Sequence, residues 1–146
     1  MKSIVKSVLL LLIIAACSKS NPENKAAEAS ESLSPTKALY NKVMDIHNEV
    51  MPRMGEMERL KRELKERIAQ SPDLVIEKKK QITQIISNLD SAGAAMMNWM
   101  HEFAPLPDTV SEAAQREYLE AEMERVKKVR ELMTNAIREA KEVEKN

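Results

Sequence analysis

The sequence predicts an all-α protein, an antiparallel three-helix bundle, on three observations. Ala, Leu, Glu, Lys, Arg and Met dominate a chain with only two glycines and 3% aromatic residues, which is helix-forming composition. Apolar residues recur at three- and four-residue steps over long stretches, and no run alternates with the period of a half-buried strand. Hydroxyl-bearing cap residues, two of them directly followed by proline, punctuate those stretches.

Residues 1–16 come first and stand apart. Lys2 and Lys6 precede an apolar stretch from Val8 to Ile14, and Ala15-Ala16 lead directly into Cys17, the pattern of a secretory signal. The stretch is well short of the roughly 20 apolar residues a spanning helix needs, and polar sequence follows at once. Ile14-Ala15-Ala16-Cys17 resembles the lipobox of bacterial lipoproteins, in which small residues precede an invariant cysteine. That resemblance implies a diacylglyceryl group on the Cys17 sulfur, cleavage after Ala16, and a further acyl chain, such as palmitate, on the new amino terminus. At about 0.8 kcal/mol per buried methylene, one acyl chain binds marginally and two or three hold stably. Cys17 is the only cysteine, so the exported domain has no partner for an internal disulfide and must be stable without one.

Residues 17–35 read as the acylated cysteine and a flexible tether. The segment 18–34 is polar, of low complexity and almost without large apolar groups, so it buries too little surface to offset the entropy of ordering. Residues 36–146 then form the helical bundle domain. Without residues 1–16 the chain has 130 residues, enough for one domain with a modest core, and 21 basic against 23 acidic side chains, a net charge of −2. That balance gives no electrostatic footprint for nucleic acid. Lys78-Lys79-Lys80 reads as a solvated helix face.

Ser34-Pro35 offers a cap and a proline at the first helical position, opening a helix to about Gln70. Val43, Ile46, Val50, Met54, Met57, Leu60, Leu64 and Ile68 draw its apolar stripe, which keeps its phase across Pro52, so the helix is expected to kink there rather than divide. Ser71-Pro72-Asp73 repeats the cap signal for a second helix ending before Pro105, with Val75, Ile82, Ile85, Ile86, Leu89, Ala92, Met96, Trp99, Met100 and Phe103 inward. Small residues at Ala92-Gly93-Ala94-Ala95 leave room for close approach of a neighbour. Thr109-Val110-Ser111-Glu112 matches a capping box for a third helix, whose inner face runs from Tyr118 and Leu119 to Ala140 and Val143. Glu58 with Arg62, Glu63 with Arg67 and Glu124 with Lys128 are expected as surface pairs. The near-continuous heptad register leaves coiled-coil self-association open.

Methionine is the most unusual component. Met44, Met51, Met54 and Met57 surround His47 on the first helix, and Met96, Met97 and Met100 lie beside Trp99 and His101 on the second. Two readings follow. Methionine fills irregular gaps in an aromatic-poor core. Alternatively, thioethers and imidazole suit Cu(I), with His47, Met51, Met54 and Met57 as ligands. Neither histidine has an acid three positions earlier, so the Glu-x-x-His pattern of helical di-iron sites is absent, as are zinc spacings, a Gly-x-Ser-x-Gly elbow and a phosphate-binding glycine loop. The expectation is a non-enzyme without cofactor beyond the lipid on Cys17, binding an envelope protein or its own copies, with Met96, Trp99, Met100 and Phe103 as the interaction patch.

Ile46-His47-Asn48-Glu49-Val50-Met51-Pro52-Arg53-Met54-Gly55-Glu56-Met57, Leu60-Lys61 and Met96-Met97-Asn98-Trp99-Met100-His101-Glu102-Phe103 resemble small lipoproteins of Bacteroidota that carry the label "viral A-type inclusion protein". The resemblance implies no activity. Surface-exported lipoproteins of that phylum place acids just after the acylated cysteine, whereas Ser18-Lys19-Ser20-Asn21 stands here and Glu23 is the first acid. The absence of aspartate after Cys17 is similar to outer-membrane sorting in enterobacteria, so the expected location is the outer membrane, facing the periplasm.

Overall fold

The structure, a computed structural model, describes residues 34–145. The signal, Cys17 and nearly all of the tether lie outside the described residues.

Four α-helices and one 3-10 turn form an up-down-up bundle of three rods: α1 (Pro35–Val50), the turn (Met51–Arg53), α2 (Met54–Gln70), α3 (Ile76–Glu102) and α4 (Glu112–Lys145). The first rod is α1 and α2 together. Ser34 caps it as expected, its hydroxyl accepting from the Lys37 N–H at 3.2 Å. At Pro52 the missing backbone donor tightens one turn into 3-10 geometry, yet Val50, Met51, Arg53 and Met54 keep right-handed helical dihedrals, so the stripe stays in phase on both sides.

The second rod starts later than its cap signal suggests. Ser71 closes a turn, its carbonyl accepting from Leu74 N–H, and Val75 is extended (φ −52°, ψ 134°) before α3 begins at Ile76. Val75 therefore leaves the predicted stripe and is 71% exposed. The third rod also shifts. Ser111, not Thr109, caps α4: its carbonyl accepts from Gln115 N–H, and its hydroxyl from Ala114 N–H at 3.4 Å. Position N3 is thus Ala114, and no reciprocal capping box forms.

Cross-links fix the topology. Tyr40 stacks on Phe103 and Lys61 pairs with Asp90, while Trp99 and Asn88 reach Glu122 and Glu139, so α3 runs antiparallel to both its neighbours. Arg130 with Glu49, Lys141 with Glu56 and Arg67 with the Val143 carbonyl make the first rod and α4 parallel. Between the rods lies one core, in which Val43, Val50, Leu60, Leu64, Ile82, Met96, Val126, Met133 and Ile137 are fully buried. On the surface, Glu58 pairs with Lys61, Arg59 with Glu63 and Glu124 with Lys127, rather than in the pairings expected. Spacings of three and four lie equally close on a helix, so a different neighbour wins at each site. Among the described residues no helix is long and apolar enough to cross a membrane.

Candidate functional site

The four aromatic residues of the whole chain meet at the end of α3. Phe103 is the hub, with ring centroids 4.9 Å from Trp99, 6.0 Å from Tyr40 and 6.3 Å from Tyr118, all stacked. The Tyr118 hydroxyl accepts from the Ala104 N–H at 2.7 Å and so ties α4 to the point where α3 unwinds towards Pro105. Burial pushes the Tyr118 phenol above its ordinary pKa.

Trp99 is only 3% exposed, and its indole N–H donates to Glu122 Oε2 at 2.9 Å. Glu122 is the one buried charged side chain among the described residues, at 4% exposure. Its second oxygen accepts from Arg125 Nη1 at 2.8 Å, and Arg125 also grips Glu102 on α3. Glutamates on both sides hold the Arg125 guanidinium's pKa above its usual value. Each oxygen of the buried carboxylate is therefore satisfied, as burial of a charge demands. Sequence reasoning passes over Glu122 as one surface acid among many. It nevertheless sits at core spacing between Leu119 and Val126, and that position was the available signal.

Two of the four residues expected to form an interaction patch lie inside the bundle. Met96 is fully buried, Trp99 nearly so, and Met100 and Phe103 are half-buried and packed on the core. Laid over α3, α4 supplies the hydrogen-bond acceptor that lets the indole sit inside.

The expected ligand group also separates. Met54 and Met57 lie over Gly93, where a Cβ would stand 3.4 Å and 4.0 Å from their methyl carbons. His47 instead faces Met100, seven residues and about 10 Å further along α3. Its Nε2 lies 3.1 Å from the Met100 sulfur, its Nδ1 3.0 Å from Asn48 Oδ1, and its ring centroid 5.8 Å from that of Trp99. His101 is exposed. No group of three or more His, Cys, Asp or Glu side chains among the described residues is placed to hold a metal ion.

Lys78 and Lys80 border an open groove of about 530 Å³ between α3 and the end of α4, together with Gln84, Asn88 and Glu139. Opposite charges face each other across it, which favours no single sign of ligand. Nearby, Arg59 lowers the Glu63 carboxyl pKa, while burial and Glu63 together raise that of Glu144.

These features define an all-α, three-rod bundle with a polar contact locked into its aromatic end. No protein-family model matches the sequence, no curated protein does, and no solved structure matches the fold.

Proposed function

We propose that this chain is a lipid-anchored envelope lipoprotein whose helical domain binds another protein or its own copies and performs no catalysis. The observation that carries the reading is the lone Cys17 standing directly behind Ala15-Ala16 and a short apolar stretch. The chain supports it by holding no second cysteine with which that thiol could form an internal disulfide. A structural or binding role is favoured because many of the described ionic side chains pair with one another along helix faces, as in Arg59–Glu63 and Lys127–Glu124. With Met96 and Trp99 inside, contact with a partner falls to the outer helix faces, where Leu132 and Met97 are exposed. The sequence after Cys17 favours the periplasmic face of the outer membrane.

Fractionation of cells making the wild type and Cys17→Ser tests the anchor. The wild type is expected in the washed membrane fraction and the variant outside it. A variant that stays in the membrane fraction overturns the lipid anchor. Crosslinking in intact envelopes reads the partner: a specific adduct or a dimer supports the binding role, and a monomer alone contradicts it.

A further inference from the structure

The turn between α2 and α3 carries the most exposed large apolar side chains among the described residues. Val75 is 71% and Ile76 84% exposed, whereas Leu132, Met97 and Tyr40 range from 45% down to 36%. The pair stands at the end of the bundle opposite Ser34, because α1 and α2 run the length of the first rod before the turn. Val75 also occupies the N-cap of α3, and no side chain caps the helix there. Local stability alone favours Ser, Thr, Asp or Asn at that position. Valine leaves the first turn uncapped and, with isoleucine, puts adjacent apolar surface in water.

Lys78, Lys79 and Lys80 follow within the next turn. Among the described residues no carboxylate forms an ion pair with any of the three. Ile76, Lys79, Lys80, Thr83, Gln84 and Ser87 alone line an open furrow on the outer face of α3, and it holds no acid. Glu77, Glu139 and Glu142 line the groove between α3 and α4 instead, beside Lys78 and Lys80, and neither Ile76 nor Lys79 borders that groove. Asp73 belongs to the turn itself, so from 73 to 80 three lysines stand against two acids.

We propose that this tip inserts Val75 and Ile76 into a bilayer surface bearing anionic lipid, with Lys79 and Lys80 at the lipid phosphates. The layering of side chains decides for lipid over an acidic protein. Apolar groups lead and cations stand one turn, about 5 Å, behind them, the order in which acyl chain and phosphate lie in a bilayer. The long lysine stems let the ammonium groups settle at the phosphate level while their methylenes lie along apolar surface. The uncapped N–H groups of the first turn of α3 face the same end and suit phosphate oxygens. The proposal does not depend on acylation of Cys17.

The test protein is residues 17–146 carrying Cys17→Ser, which keeps the whole core and carries no acyl chain. Co-sedimentation with vesicles of equal parts phosphatidylglycerol and phosphatidylcholine is expected to show binding that falls as salt rises, and vesicles of phosphatidylcholine alone to leave the protein in the supernatant. Val75→Ser/Ile76→Ser is expected to weaken binding about tenfold or more, and Lys79→Ala/Lys80→Ala to weaken it about fivefold per lysine. Leu132→Ser, at an exposed apolar site elsewhere, is expected to leave binding unchanged. All these positions are exposed, and circular dichroism checks that each variant stays helical. An environment-sensitive fluorophore on Ile76→Cys is expected to shift to the blue on the anionic vesicles only. No binding to anionic vesicles, equal binding to phosphatidylcholine alone, wild-type binding by Val75→Ser/Ile76→Ser, or an unshifted fluorophore each overturns the proposal.

Discussion

Replacing Gly93 by alanine is expected to stabilise the bundle by about 1 kcal/mol, because glycine inside a helix costs roughly 0.8–1.0 kcal/mol relative to alanine. The sign depends on what the new methyl meets. The Cβ would find the Met54 methyl at 3.4 Å, and the Met54 sulfur and Met57 methyl both at 4.0 Å. These are the flexible ends of long side chains, not backbone, so they adjust by a few tenths of an ångström at little cost. New contact with the two thioethers adds slightly to the gain. Urea unfolding of residues 17–146 carrying Cys17→Ser, followed by far-ultraviolet circular dichroism, gives the measurement. With a slope of about 1–3 kcal/mol per molar urea, the midpoint should rise by roughly 0.5 M with the slope unchanged. Gly93→Val is the contrast: a branched side chain drives into both methionines, and overpacking of this kind costs about 1–3 kcal/mol. If Gly93→Ala destabilised instead, Gly93 would be holding two backbones together, and the account of methionines filling the space above it would be refuted.

Three further outcomes follow from the same geometry. Glu122→Ala strands the Trp99 N–H in the interior and is expected to cost about 1–3 kcal/mol, read as a lowered urea midpoint, with Glu122→Gln recovering part of the loss. Leu60→Ala empties a fully buried site and should cost about 2–5 kcal/mol, whereas exposed Leu132→Ala should stay within about 0.5 kcal/mol. Glu144 has its folded pKa raised by burial and by Glu63, so its favourable contribution is complete below the ordinary carboxylate range and is lost as pH rises through the raised value. Glu144→Gln should therefore be more stable than the wild type at neutral pH, by less than about 0.5 kcal/mol at this solvent-screened site, and the difference should close on acidification. An unchanged difference between acid and neutral pH in thermal unfolding would contradict the Glu63–Glu144 interaction.

The helices were legible in the sequence because the apolar stripe is local information. Val43, Val50, Met57, Leu60 and Leu64 are buried where three- and four-residue spacing puts them. Cap signals were half informative. Ser34-Pro35 opens α1, but the same dipeptide at Ser71-Pro72 closes a turn, because Leu74 and not Val75 turns inward to pack on the core. Contacts between rods were not legible. Pairing His47 with Met100, or Trp99 with Glu122, requires the register of one helix against another, and that register is set by the sum of the core contacts rather than by any motif. Sequence spacing therefore grouped Met54 and Met57 with His47, where the fold turns both onto Gly93.

The central claim concerns Cys17, and mass spectrometry of the amino-terminal peptide of protein extracted from membranes tests it most directly. The expected peptide begins at Cys17 and carries the mass of a diacylglyceryl group on sulfur, with a further acyl chain on the amine. A peptide that begins elsewhere, or one that begins at Cys17 with a free thiol, would contradict the lipoprotein reading.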